Sequence, residues 1–201
     1  MNRSLMSVFL VPVAAVSLAG CGINSIPTAE ENAKAKWAHV QAAYQRRADL
    51  IPNLVSTVKG AAASEERILT RVTQARADAT KITLTGDQLS DPAAMQRFAE
   101  AQSRLSAAII PLQRLQEAYP DLKTNQNFLT LQSQLEGTEN RINITIRDYN
   151  EAVQAYNTEI RTFPSVIGAK VFYGAEPMAT FQAPTPDANV APEVNFDTNT
   201  Q

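Results

Sequence analysis

Few side chains in this 201-residue chain could do chemistry, and their types narrow it quickly. A single cysteine, Cys21, rules out a disulfide within the chain, and with one histidine, His39, it argues against a multi-ligand zinc site or a Cys/His nucleophile pair. His39 lies beside an apolar stripe and reads as a surface imidazole. Glu65 and Glu139 fall at positions where apolar stripes are otherwise regular. A buried carboxylate needs donors, and Arg46, Arg47 or Arg141 could supply them to Glu139. A structural ion pair is the reading, with a proton-handling site as the alternative. The pairs Tyr149-Asn150 and Tyr156-Asn157 repeat one heptad apart and set two amides on one helix face. They are expected to hydrogen-bond backbone between helices, although a peptide-binding edge would look the same. There is no nucleophile with a base, no phosphate loop and no metal set, so no catalytic, cofactor or metal residue is assigned and an enzyme is the least supported class.

The elements that must position these residues are helices. From Leu122 to Phe163, apolar or aromatic residues recur every seven: Phe128, Leu135, Ile142, Tyr149, Tyr156 and Phe163. Gln132, Glu139, Ile146, Val153 and Ile160 follow the first five at a spacing of four, a coiled-coil-like seam. As one helix it would run about 60 Å and would need other helices alongside. The chain before it supplies three. A first helix spans about 28–49, capped by Thr28, with the stripe Ala33, Trp37, Val40, Tyr44 and Ala48. The segment RRADLIPNLV follows, containing Asp49, Pro52 and Asn53; Pro52 is expected to end the first helix and open a second over about 53–82, a kinked continuous helix being the alternative. Asp91-Pro92 starts a third helix over about 92–118, which Pro111 should kink. Asp121 can cap the fourth, over 122–163.

The expected fold is therefore all-α: an antiparallel four-helix bundle over 28–163, with a long final helix and an irregular C-terminal tail. The last dozen residues of the fourth helix, with Tyr156, Ile160 and Phe163, should outrun their companions. Residues 164–181 read as an ordered lariat packed on the bundle. Residues 182–201 read as a flexible tail in which Val194 and Phe196 offer apolar contacts.

The first 20 residues read as an address: Arg3, an apolar run from Leu5 to Val16, then Leu18-Ala19-Gly20-Cys21. The four residues LAGC resemble a bacterial lipobox, which implies cleavage before Cys21, lipid on that cysteine and a short tether over 21–27. An uncleaved N-terminal transmembrane anchor is the alternative. Gly22 rather than Asp after the cysteine favours the outer membrane if the cell has two. Eighteen basic and 20 acidic residues, with no basic block, make nucleic-acid binding a poor reading.

The segments RRADLIPNLVSTVKG (46–60), TQARADA (73–79), EAYPDLK (117–123), LEGTENRI (135–142), RDYNEAVQAYN (147–157), FPSVIGAKVF (163–172) and PEVNF (192–196) together resemble the LemA family. The resemblance covers most of the chain from Ala29 to Phe196. It implies an antiparallel bundle of long helices, anchored to a membrane at its N-terminus with the bulk outside the cytoplasm, and no established reaction. Two features depart from the family pattern: a lipobox where many relatives have a transmembrane helix, and Pro111. The function expected is a non-enzymatic envelope scaffold or adaptor for another envelope protein; a module binding lipid or a small apolar ligand is the alternative.

Overall fold

Two long helices set the length of the bundle. In the computed structural model, which describes residues 24–182, α1 (Ser25–Ala61) and α5 (Gln126–Glu159) run antiparallel. Ser25 lies beside Glu159 at one end and Arg47 beside Glu139 near the middle. Against this pair stand α2 (Glu66–Thr80) and α3 (Pro92–Ala118), joined through a 3₁₀ turn at Gly86–Ser90. A short α4 (Pro120–Thr124) turns the corner into α5. After α5 come α6 (Ser165–Gly168), a π turn at Ala169–Tyr173, and an extended strap to Gln182. Among the described residues there is no strand, and the fold is the expected all-α antiparallel bundle.

The helix boundaries differ from those expected, each for a local reason. Helix α1 begins before Thr28, because Pro27 falls in the first turn, where a missing amide hydrogen costs nothing. Ile26 is buried there, and Thr28 Oγ1 donates to the Asn24 carbonyl at 2.8 Å. Pro52 does not end the helix: α1 passes through it without a break, which is the alternative reading. Proline cannot donate to the carbonyl four residues back, which is that of Ala48. Arg76 on α2 fills the vacancy, its Nε donating to the Ala48 oxygen at 2.7 Å. The break falls instead at residues 62–65, so Gly60 sits in the last turn of α1 and Glu65 at the N-cap position of α2. Helix α3 likewise continues through Pro111.

At the start of α5, Asn125 rather than Asp121 is the cap: its Oδ1 accepts from the amides of Asn127 and Phe128 at 3.0 and 3.1 Å. The helix ends at Glu159, so Phe163 lies outside it. With α1 starting at Ser25 no helical overhang exists; Tyr156 and Ile160 are buried in the bundle.

The core divides into two apolar clusters. One contains Ile51, Leu54, Val58, Leu69, Val72, Leu105, Leu112, Phe128 and Leu135. The other is aromatic, with Trp37, Tyr44, Phe98, Tyr149, Tyr156 and Phe181 among its members. Phe181 stands edge-on to Trp37 at 5.4 Å and to Phe98 at 5.7 Å between centroids. The strap therefore supplies part of the core.

Candidate functional site

Between the two clusters lies a polar layer. Along α1 it falls between Tyr44 and Ile51, along α3 between Phe98 and Leu105, and along α5 between Ile142 and Leu135. Its centre is Arg47, which is 1% exposed. Nη1 donates to Glu139 Oε1 at 2.8 Å and to Ser106 Oγ at 2.7 Å; Nη2 donates to the Gln102 carbonyl at 3.1 Å and to Gln102 Oε1 at 2.9 Å. The guanidinium carbon stands 5.0 Å from the Tyr44 ring centre. Burial pushes the Tyr44 phenol up to about 12, against the opposing charge of Arg47. Gln102 extends the layer to α2 by donating to the Ala79 carbonyl at 3.3 Å.

The layer opens into a groove of about 580 Å³ between α3 and α5, floored by Tyr44 and Arg47 and walled by Ile109, Ile110, Glu139 and Asn143. Glu139 was expected as a buried carboxylate needing donors. It is instead half exposed, with its side chain 48% accessible, and the buried member of the pair is the arginine. The seam position inside the bundle is taken by Thr138, one residue earlier, whose hydroxyl bonds back to the Gln134 carbonyl at 2.7 Å.

A second polar array runs down α5. Asn157 Nδ2 donates to the Met178 carbonyl and its Oδ1 accepts from the Met178 amide, both at 2.9 Å. Asn150 makes the same pair of bonds with Phe181, both at 2.8 Å. Tyr156 donates to the Glu176 carbonyl at 3.1 Å and Tyr149 to that of Ala179 at 2.9 Å. The amides thus bond the strap's backbone rather than another helix. The geometry follows from two rises: one heptad of helix climbs about 10.5 Å and three extended residues about 10 Å, so each heptad step meets the strap three residues on. Across the strap, the Ala179 amide donates to the Leu89 carbonyl at 2.8 Å. One further heptad toward the start of α5 is Asn143, exposed at the mouth of the groove with no side-chain partner among the described residues.

The remaining sequence candidates sort by place. Of the three arginines offered to Glu139, Arg47 pairs with it; Arg46 and Arg141 are exposed and line a shallow dip with Gln134 and Gly137. Asp49 is exposed and accepts from Gln45 at 2.7 Å. Pro52 and Asn53 face solvent, and the Asn53 carbonyl accepts from Thr57. Glu65 accepts from the Tyr119 hydroxyl at 3.0 Å, which ties the α1–α2 corner to the end of α3. Phe163 is 80% exposed. Cys21 lies outside the described residues. Sequence reasoning missed Gln102 and Arg76. Both were findable, since Gln102 sits between Phe98 and Leu105 and Arg76 between Val72 and Ala79, each at the helical spacing of its stripe.

The sequence model of the LemA family matches residues 36–196. The chain is 28% identical over 124 residues to "Protein LemA" of Metamycoplasma hominis, a stretch covering 62% of this chain and 52% of that protein. It is 25% identical over 157 residues to "Magnetosome protein MamQ 2" and "Magnetosome protein MamQ 1" of Paramagnetospirillum magneticum, covering 70% of this chain and 58% of each. The chain thus spans little more than half the length of these relatives.

Proposed function

Because the chain belongs to the LemA family, we propose that it is a membrane-anchored, non-enzymatic adaptor of the cell envelope whose α3–α5 groove takes an extended segment of another envelope protein. The observation that carries this reading is the Tyr–Asn face of α5. It holds the strap chiefly through main-chain groups, so what it recognises is extended polypeptide rather than one side chain. Asn143 repeats the asparagine of that unit one heptad further on, with Ile142 before it in place of a tyrosine, and lines the groove.

Anchoring is read from LAGC, whose Cys21 lies four residues before Ser25; among the described residues no helix is long and apolar enough to cross a membrane. Cys21→Ala should move the chain out of the membrane fraction. For the groove, a photo-crosslinking residue at Ile110 in the full chain should yield crosslinked peptides from an extended segment of one envelope protein. Asn143→Asp should weaken that crosslink. Crosslinks confined to residues 183–201 would overturn the adaptor reading, because the groove would then be filled by its own chain. The groove's volume also falls in the range of small-ligand sites, about 300–1,000 Å³, and a lipid crosslinked at Ile110 would favour a ligand-binding module instead.

A further inference from the structure

The segment after α5 buries the wrong residues for a helix serving only its own core. From Ser165 to Tyr173 the side chains turned inward are small, Ser165 and Ala169, with Gly168 beside them. The large apolar ones face out: Phe163 is 80% exposed, Ile167 55%, Val171 69% and Phe172 68%, with Tyr173 beside them. Ile167 and Val171 are spaced by four through α6 and the π turn, and Phe163 lies in the turn just before α6. A contiguous apolar patch on a folded surface marks a surface made to be covered.

We propose that Phe163, Ile167, Val171 and Phe172 form a seat that enters the lipid surface, so that the bundle stands directly on the membrane holding its N-terminus. The inference rests on the anchoring half of the function proposed above, and three observations choose lipid as the occupant. The first is position. The Glu159 carboxylate accepts from Ser25 at the start of α1 and from Ser165 Oγ, at 2.5 Å, at the start of α6, which fixes the patch beside the point where the chain leaves toward Cys21. The second is reach: Ser25 is four residue steps from Cys21, a span of at most about 14 Å, too little to lift the patch clear of an interface at which Cys21 is held. The third is charge. Between Ile160 and Ala175 the chain carries Arg161 and Lys170, both exposed, and no acid, the pattern of a segment lying on anionic headgroups. Of the acids on the flanking turns, Glu30 and Glu31 pair with Lys34 and Glu159 with the two serines, and Glu176 stands exposed just past the segment. Tyr173, beside the patch, is also of a type that settles at headgroup depth.

The test uses the full chain in vesicles of phosphatidylethanolamine and phosphatidylglycerol, with Phe172→Trp as reporter and Lys123→Trp, at the far end of the bundle, as control. Native Trp37 is buried, and its emission is subtracted. Co-flotation with the vesicles reports anchoring independently. Phe172→Trp should emit to the blue and lose about half its intensity to phospholipid brominated near the headgroup end of the acyl chain, while the control stays unquenched. Adding Ile167→Asp, also at an exposed position, should leave the thermal midpoint in place and abolish the quenching. A chain that floats with Phe172→Trp red-shifted and unquenched overturns the seat alone. A blue shift without quenching also overturns it, because protein rather than lipid then covers the patch. A chain that does not float overturns the anchoring reading and the seat with it.

Discussion

Arg47 is tightly held: its two Nη atoms make four hydrogen bonds, to α3 and α5, from a position 1% exposed. Truncating it empties the layer between the clusters and strands the Gln102 and Ser106 acceptors, so Arg47→Ala should cost about 3 kcal/mol or more in urea unfolding. Glu139 stands half in water, where an ion pair is screened, and Glu139→Ala should cost about 1 kcal/mol. Equal losses would mean that the charge pair, rather than the arginine's packing and neutral acceptors, holds the layer. The tyrosines make a pH prediction. Burial raises the Tyr44 phenol to about 12, and Tyr149 and Tyr156 are also raised by burial. An unfolded tyrosine loses its proton near pH ~10, so above that pH the unfolded state gains a charge the folded state refuses. The stabilisation is whole below pH ~10 and lost as pH rises toward 12. Urea midpoints read against tyrosinate absorbance should show it, and Tyr44→Phe should flatten part of the fall. At this scale the sequence spoke through pattern: Glu139 and the Tyr–Asn pairs stood out against their seam. Which of three arginines would answer Glu139 did not, because Pro52 was expected to end the first helix, and only with Ile51 in its stripe does Arg47, three residues after Tyr44 and four before Ile51, fall on the buried face.

The helices join through repairs to their backbones. Pro52 leaves the Ala48 carbonyl without its intrahelical donor, and Arg76 supplies one from α2. A double-mutant cycle tests this directly. Arg76→Met should cost about 1–2 kcal/mol in the native background and much less beside Pro52→Ala, which restores the amide hydrogen. Additive losses would show that the two sites do not share the carbonyl. The Asn rungs are repairs of the same kind, satisfying a strap that has no sheet to join. Asn150→Ala should free both polar groups of Phe181 and speed exchange of its amide with solvent, with less effect at Met178, which Asn157 still holds. Helix existence was legible in periodicity, and the Asp91-Pro92 start was read as it stands, with the Asp91 carboxylate accepting from the Ala93 amide at 2.8 Å. Helix ends were not. The signal at Pro52 is a genuine helix-breaker that a residue far along the chain neutralises, whereas the true break at 62–65, Ala-Ala-Ser-Glu, falls among residues that mostly favour helix.

For the whole molecule, the strap closes the aromatic end of the bundle. Phe181→Ala should cost about 3–4 kcal/mol and shift Trp37 emission to the red, since Phe181 is fully buried against Trp37 and Phe98. Gly174, at φ 55, makes the turn that launches the strap, and Gly174→Ala should cost about 1 kcal/mol through that left-handed backbone. The sequence showed an ordered segment after Phe163 but not its path, because a strap bound through its own main chain leaves little side-chain pattern to read. That path also orders events in time. Every buried member of the aliphatic cluster lies between residues 51 and 135, so that half can close while the chain is still being delivered. The aromatic half waits for residue 181, and until Phe181 arrives Trp37 and Phe98 lack their last neighbour. A bundle whose aromatic end is sealed last, near its C-terminus, keeps that end open for most of its synthesis.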